Sequence, residues 1–470
     1  MGGAGLGGLR RSAGVSAEIA APTAASGPRL RLPGRLANWT LCWLLLPNLP
    51  FAAMWLIGGP SRVLEIFVTG MIGLVARRAR FAVQLSLFLL LLTLSSMAFV
   101  SGLFGLSIKT MFFALRYVVE LRPVASFEYL IVAGALLLTV ALAWRHLRRR
   151  QDFEAPLQLV AAGAMLIAVC AVDVWASAGT RGSYRGLPAA DAPFSSAATQ
   201  TDFGALAANG NHLLVVMVEA WGVPRDPALR AKLLRRWRET DIDRVYDVRF
   251  GSTPFWGSTT YGEMRELCGR WDDYHDLVEA RDATCLPARL AAQGYQTTAI
   301  HGFDESFFRR TKWYPHVGFQ QLLFREALMG AGAEKCGGVF PGACDRDVPA
   351  MIGERLKAAK GKQFVYWLTL NSHIPVPASE KLGTKDCARF DPALARDHAM
   401  ICRLFSLWSD THDGLARMLA DPDLPPVDVL IVGDHAPPFF DRSQRTQFDP
   451  ARVPWVLLKH RKSRESKVTG

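Results

Sequence analysis

The sequence has no C-x-x-C pair, although it holds eight cysteines in 470 residues. The usual ligand spacing of a small zinc module is therefore missing. It also lacks an interleaved basic and aromatic surface motif that would support nucleic-acid binding. The net charge of +12 is thus not read as a nucleic-acid face, and no nucleic-acid partner is expected. The arginines stand instead beside long apolar runs, as topology signals and headgroup contacts do. No signal-peptidase pattern follows the Gly-, Ala-, Ser- and Arg-rich residues 1–37. They read as a disordered basic arm, and the first apolar run is expected to remain as an anchor.

Apolar runs lie at 38–58, 62–76, 81–106, 129–144 and 157–179. The third and fifth are long enough to cross a bilayer, while the second and fourth are short for a span of about 20 residues. Arg29, Arg31 and Arg35 precede the first run. Arg77, Arg78 and Arg80 separate the second from the third, and Arg145, Arg148, Arg149 and Arg150 the fourth from the fifth. With these clusters on the cytoplasmic side, 38–180 forms a membrane domain of about five helices and the rest is delivered outside. The second run is counted as a span, because the parity fails without it. Segment 107–128, with Phe112, Phe113, Leu115, Tyr117 and Val118, is expected to lie on the outer surface as an amphipathic helix. Residues 181–210 read as a linker and 211–470 as an extracytoplasmic domain.

The cysteines agree with that topology. Cys42 and Cys170 fall in apolar runs. Cys268, Cys285, Cys336, Cys344, Cys387 and Cys402 all fall in the second half, as three successive close pairs. Three local disulfides are expected, and with them an oxidising compartment.

In the second half, continuous apolar runs alternate with helical stretches. Leu213–Val218, Tyr295–Ile300, Phe364–Leu370 and Val427–Val432 read as buried parallel strands. Pro227–Glu239, Leu286–Gln293, Val348–Lys360 and His398–Leu419 read as helices between them. The expected fold is an α/β domain with a mostly parallel sheet. The strands run out into Glu219, His301, Asn371-Ser372-His373 and Gly433-Asp434-His435. In a parallel sheet those ends share one rim, where such folds bind ligands. A single histidine after a strand is an ordinary loop residue, and an Asp-His pair can be a capped turn. Four such ends together make an oxygen and imidazole site for a divalent metal.

The stretch Phe250–Gly269 carries small hydroxyl residues ahead of a helix expected from Thr260 to Leu267. A hydroxyl there is a helix cap. Beside a metal it is also a usable nucleophile for attack at phosphorus or sulfur.

Taken together, residues 210–460 resemble the alkaline-phosphatase superfamily. Within it they look most like membrane-anchored phosphoglycerol transferases, such as lipoteichoic acid synthases and osmoregulated-glucan phosphoglycerol transferases, with phosphoethanolamine transferases as near relatives. Val216-Met217-Val218-Glu219 resembles the first ligand strand, and Ser258-Thr259-Thr260-Tyr261-Gly262-Glu263 the nucleophile motif. Ala299-Ile300-His301-Gly302 with Phe307-Phe308-Arg309-Arg310 resembles the substrate-binding segment. Asn371-Ser372-His373 and Gly433-Asp434-His435 resemble the active-site histidine and the final metal pair.

The resemblance implies Thr259 as nucleophile and Glu219, Thr259, Asp434 and His435 as ligands. His301 and His373 would contact the phosphoryl group or move protons. Phe308 would form an aromatic wall, and Arg310 would bind glycerol phosphate. Where the lipoteichoic acid synthases have an Asp two residues after the histidine, this chain has Phe303, with Asp304 next to it. The implied cofactor is one divalent ion, Mn²⁺ or alternatively Zn²⁺. The implied donor is phosphatidylglycerol, or phosphatidylethanolamine in the alternative reading, in which lipid A or a polysaccharide is the acceptor. The implied acceptor for phosphoglycerol is a glycan, and the implied location is a bacterial inner membrane with the catalytic domain in the periplasm.

Cys285-Leu-Pro-Ala-Arg289 fits the minimal pattern of a sulfatase's formylglycine cysteine. It follows the Thr259 motif and lacks the accompanying Ser and Thr-Gly. Cys285 is read as a disulfide partner of Cys268.

Overall fold

The computed structural model describes residues 34–121, 123–178, 188 and 191–461. The arm at 1–33 and the linker residues 179–187, 189 and 190 lie outside the described residues.

Among the described residues, three helices are long and apolar enough to cross a membrane: α2 (Phe81–Leu103), α3 (Phe127–Leu147) and α4 (Pro156–Ala178). A fourth, α1 (Val63–Ala76), has 14 residues, about 21 Å of helix against a hydrocarbon core of about 30 Å. The first apolar run is not one helix. An α turn (Gly34–Thr40) passes into a π turn (Leu41–Leu45) and then a 3₁₀ turn (Leu46–Phe51). Pro47 and Pro50 remove two backbone donors there, so a regular α ladder cannot continue. The expected five spans thus become three helices of spanning length beside two shorter stretches. The fourth run is longer than its apolar core, because Ser126 caps it by accepting from Tyr129 N at 3.3 Å, and Arg145–Leu147 continue it.

The stretches alternate in direction. Arg35 pairs with Asp152 and Arg78 with Glu154, so the arginine-rich loops share one end. At the other end Ser61 Oγ and Arg62 N donate to Asp173 Oδ2 at 2.8 and 2.7 Å. There the second half docks. Arg445 pairs with Glu128, Arg403 with Glu120, and Tyr129 meets Phe440. The connecting segment is two turns, Ile108–Ala114 (α) and Leu115–Leu121 (3₁₀). Leu106, Ala114 and Tyr117 pack on an aromatic cluster of the catalytic half that includes Phe303, Phe307 and Phe340.

The second half is built on a seven-stranded sheet. Its strands are β1 (His212–Val218), β2 (Tyr246–Pro254), β3 (Gln296–His301), β4 (Gln321–Leu323), β5 (Gln363–Leu368), β6 (Val427–Gly433) and β7 (Arg452–His460). Their order is β2-β7-β6-β1-β5-β3-β4. The five from β6 to β4 are parallel, and β7 and β2 add an antiparallel edge. β1, β5 and β6 are buried along their whole length except for His212, which is why they read as unbroken apolar runs.

The antiparallel edge differs from expectation. Phe250–Pro254, the start of the stretch with small hydroxyl residues, completes β2, a half-exposed edge strand. Gly251 leaves room for the Trp455 indole stacked on it from β7. The end of the linker is folded as well. Ala197, Phe203 and Ala207 are buried in the catalytic core, and Ala197 N and Ala198 N donate to Glu266 at 3.1 and 2.8 Å.

Three disulfides join the six cysteines in successive pairs, Cys268–Cys285, Cys336–Cys344 and Cys387–Cys402.

Candidate active site

Sheet register puts the chemistry on one rim. Val218 is level with Gly433, and Met217 with both Val432 and Leu368. His301, the last residue of β3, is also level with Leu368. The residues that follow these strands therefore leave the sheet side by side.

Glu219, Asp434 and His435 come together with one ligand-type atom each, all within 4.8 Å of one another. Thr259 Oγ1 donates to Glu219 Oε2 at 3.1 Å and lies 3.3 Å from His435 Nε2. Thr259 opens α5 (Thr259–Glu263), which continues as a π turn to Cys268. The capping position belongs to Ser258, whose side chain makes no capping bond. Gly262 lets this helix approach closely, since a Cβ there would stand 3.0 Å from Asp434 Cα.

The donor set fits a divalent cation. Asp434 Oδ2 is buried with no hydrogen-bond partner, 3.3 Å from His435 Nε2. His435 Nδ1 is 2.9 Å from Ala436 O, so its N–H points there and Nε2 turns to the carboxylates. Burial opposes charge on Glu219, but the imidazoles of His373 and His435 outweigh it and hold the carboxyl down at about 2. Burial, then the Glu219 charge, pushes Asp434 up to about 7. Asp434 and Glu219 overcome the burial of His435 and push it up to about 10. Two buried carboxylates at this spacing repel, and a dication relieves that repulsion.

The two other histidines flank the cluster. His301 Nδ1 is 3.1 Å from Leu368 O, and its Nε2 is buried without a partner. Burial and then the Arg310 charge push His301 down to about 3. A neutral ring with its N–H on Leu368 offers Nε2 as an acceptor. His373 Nδ1 is 3.0 Å from Ile374 O, and Nε2 is 3.9 Å from Glu219 Oε1. The Phe340 ring lies 4.1 Å from the His373 ring, and Phe307 is stacked 6.0 Å from His301. The aromatic cluster beside the membrane domain thus touches both histidines.

The residues expected to bind substrate are placed differently. Arg310 is fully buried, its Nη2 2.8 Å from Glu263 Oε2. Tyr314 and Tyr366 hydroxyls donate to the other oxygen of Glu263. The guanidinium is a core partner of the helix that carries Thr259, and not a free arm. Phe308 adopts a left-handed backbone, φ +51°, and its ring lies under Gly105 of the membrane domain. Asp304 caps its own turn by accepting from Ser306 and pairs with Arg325. Removing one partner of a buried pair costs about 3–5 kcal/mol. Arg310→Ala is therefore expected to lower the melting temperature of the purified chain sharply. A changed KM with unchanged melting would instead mark a substrate contact.

Several supporting residues were not singled out from the sequence. Arg265, fully buried, donates to Gly433 O and Asp434 O at 2.6 and 3.1 Å, pinning the turn that carries Asp434 and His435. Thr369 Oγ1 accepts from Glu219 N at 2.9 Å. Asp345 Oδ2 accepts from Leu370 N and Asn371 N at 2.8 and 2.6 Å and shapes the turn that presents His373. Arg265 could have been noticed as a charge on an otherwise apolar helix face. Asp345 has only its place next to Cys344 as a signal.

Residues 255–467 match the Sulfatase family model. No curated protein matches the chain. Among solved structures, it is similar to the lipoteichoic acid synthase LtaP from Listeria monocytogenes, at 18% identity and a TM-score of 0.40, over 53% of this chain and 65% of that one. It is similar to a protein in the alkaline phosphatase superfamily from Vibrio parahaemolyticus, at 16% identity and a TM-score of 0.37, over 54% and 60%. It is also similar to the Streptococcus pyogenes phosphoglycerol transferase GacH in complex with sn-glycerol-1-phosphate, at 16% identity and a TM-score of 0.37, over 58% and 78%. Cys285 is tied to Cys268 and 0% exposed, so the formylglycine reading has no free thiol to act on.

Proposed function

We propose that the chain transfers a phosphoglycerol group from a membrane phospholipid to an extracytoplasmic glycan, through a phosphothreonine at Thr259. The observation that carries this reading is the position of Thr259 Oγ1, 3.1 Å from Glu219 Oε2 and 3.3 Å from His435 Nε2. A hydroxyl with only a capping task has no reason to stand among ligand-type atoms. Glu219, Asp434 and His435 would hold a divalent ion, which would sharpen the Thr259 hydroxyl as a nucleophile and offset charge on the phosphoryl oxygens.

In the first step the Thr259 oxygen bonds to phosphorus and the bond to diacylglycerol breaks. The Thr259 proton leaves along its hydrogen bond to Glu219. The departing diacylglycerol oxygen takes up a proton that solvent supplies through His373 Nε2. In the second step an acceptor hydroxyl attacks, the bond to Thr259 breaks, and Thr259 regains its proton from Glu219. Neutral His301, with Nε2 open, accepts the proton of the acceptor hydroxyl and returns it to solvent. Three helices of spanning length, with arginine-rich loops at the end away from the sheet, support an anchored enzyme whose catalytic domain faces the periplasm. The five apolar stretches are taken as five crossings of a bacterial inner membrane.

A second reading has a specific observation in its favour. The free guanidinium that favoured phosphoglycerol is engaged by Glu263, so phosphoethanolamine transfer to lipid A or a polysaccharide stands beside it. Intact mass after incubation with phosphatidylglycerol or with phosphatidylethanolamine separates the two. The adduct expected is phosphoglycerol, lost in Thr259→Ala. A phosphoethanolamine adduct selects the second reading, and no adduct from either lipid overturns both.

A further inference from the structure

The second half of the chain covers its large apolar side chains almost completely. Among the described residues from 191 to 461, Trp256 and Phe440 are the two large hydrophobic side chains left exposed, at 41% and 42%. Both stand on loops that carry the site. Trp256 comes three residues before Thr259, and Phe440 five residues after His435. Apolar residues exposed singly are ordinary, but these two coincide with the nucleophile and metal-ligand loops.

The two loops leave the sheet at one rim. β2 and β6 both run antiparallel to β7, and Trp455 of β7 is level with Gly251 on one side and Val432 on the other. The chain beyond Pro254 and the chain beyond Gly433 therefore emerge together. That rim faces the membrane domain. Phe303 and Phe307, which follow β3, pack against Leu106, Ala114 and Tyr117, and Phe308 lies under Gly105. Phe440 meets Tyr129 of α3 with ring centres 4.9 Å apart, and Arg445 pairs with Glu128. The 21 residues of α3 make about 31 Å of helix, against a hydrocarbon core of about 30 Å. The first turn of α3 then lies at the core boundary, where tyrosine rings are favoured. Phe127 in that turn is 73% exposed, as a lipid-facing residue is. Phe440 is held at the same depth.

The loop that bears Phe440 suits that depth. Pro437 and Pro438 stiffen it. Phe439 turns in to stack on Phe448, while Phe440 turns out. Arg442 follows, exposed and with no ion pair among the described residues. An apolar tip beside a free cation is the pattern of an interfacial segment, which buries its ring and leaves the cation among lipid phosphates.

We infer that this rim dips into the leaflet on its side of the bilayer, with Phe440 and Trp256 at the level of the lipid glycerol esters and Arg442 on lipid phosphate. The partner is the phospholipid surface itself. The use of this insertion rests on the function proposed above: a phosphodiester of the same leaflet would reach Thr259 without leaving the bilayer.

The test puts a nitroxide label on Phe440→Cys, Trp256→Cys and Lys360→Cys, each in the full chain with the free thiols removed by Cys42→Ser and Cys170→Ser. The chains are held in nanodiscs of phosphatidylglycerol and phosphatidylcholine. Lys360 is exposed and precedes β5, at the opposite rim. The ratio of collisions with oxygen to collisions with a water-soluble nickel chelate is expected to be at least about fivefold higher for the Phe440→Cys and Trp256→Cys labels than for Lys360→Cys. A water-like ratio at either position overturns the inference. So does dipolar broadening between labels, which would place a second copy of the chain on this face. Phe440→Ser and Trp256→Ser should raise KM for bilayer phosphatidylglycerol about tenfold, with kcat within about twofold. Turnover of short-chain phosphatidylglycerol dispersed below its micelle concentration should not change. Equal losses on both donors mark a merely structural role and overturn the inference. If the native chain releases no diacylglycerol while both labels report insertion, the donor reading fails and the insertion stands. Water-like labels with intact release do the reverse.

Discussion

Thr259→Ala is expected to abolish transfer, by roughly 10⁴-fold or more, which corresponds to at least about 5.5 kcal/mol of transition-state stabilisation. The size follows from the role. The oxygen is the attacking atom, and it stands between the Glu219 and His435 ligand atoms at 3.1 and 3.3 Å. The fold should survive the change. Thr259 is not the capping residue, and Ser258 holds that position without a side-chain bond. A melting temperature within a few degrees of the native chain is expected. Thr259→Ser keeps the hydroxyl and should keep measurable turnover. The decisive measurement is diacylglycerol release from a labelled phospholipid, with intact mass showing whether an adduct forms. Native-level release by Thr259→Ala would remove the nucleophile from the mechanism.

Stripping divalent ions should remove activity and lower stability together. Glu219 and Asp434 are buried side by side, with ligand-type atoms inside 4.8 Å. Without a cation one charge must be offset by a proton, as the upward push on Asp434 to about 7 indicates. A ligand present at about 100 times its Kd stabilises the folded state by about 2.7 kcal/mol. For a domain of this size that is a rise of roughly 5–10 °C in melting temperature. The expected experiment is a melt of chelated protein with added Mn²⁺ or Zn²⁺. Asp434→Asn should flatten the response, because the unpartnered Oδ2 is the atom it alters. A melting curve indifferent to every divalent ion would argue against a metal centre at this cluster.

Much of the site was legible because of how parallel sheets work. Strands buried on both faces are mostly apolar, so β1, β5 and β6 stand out as runs although β6 also buries Asp428, and the polar residues that follow them mark the rim. Glu219, His301 and Asp434-His435 were found in that way. The antiparallel edge was not. β2 contains Gly251, Ser252 and Pro254, poor strand formers that pairing with β7 nonetheless holds in register. Helix lengths in the apolar half were misjudged for a related reason. An apolar count misses the polar ends of α3, and it cannot see that two prolines break the first run.

Arg310 makes the contrast sharpest. The resemblance implied a substrate contact for it, while the fold turns it inward onto Glu263, four residues after Thr259. Spacing along a chain fixes which residues are near one another, and burial decides what each is free to touch. In the same way, three successive cysteine pairs could be read from their spacing, because short loops close cheaply. That the loop closed by Cys336–Cys344 sets Phe340 against His373 could not. The sequence by itself determined the apolar half, the strand runs, the ligand types and the hydroxyl motif, since all of these are local patterns of residue chemistry. Only the tertiary structure decided which hydroxyl meets the ligand atoms, which arginine is buried, and where the aromatic cluster joins the membrane domain to the two histidines. Those depend on contacts between distant segments, and no local pattern encodes them.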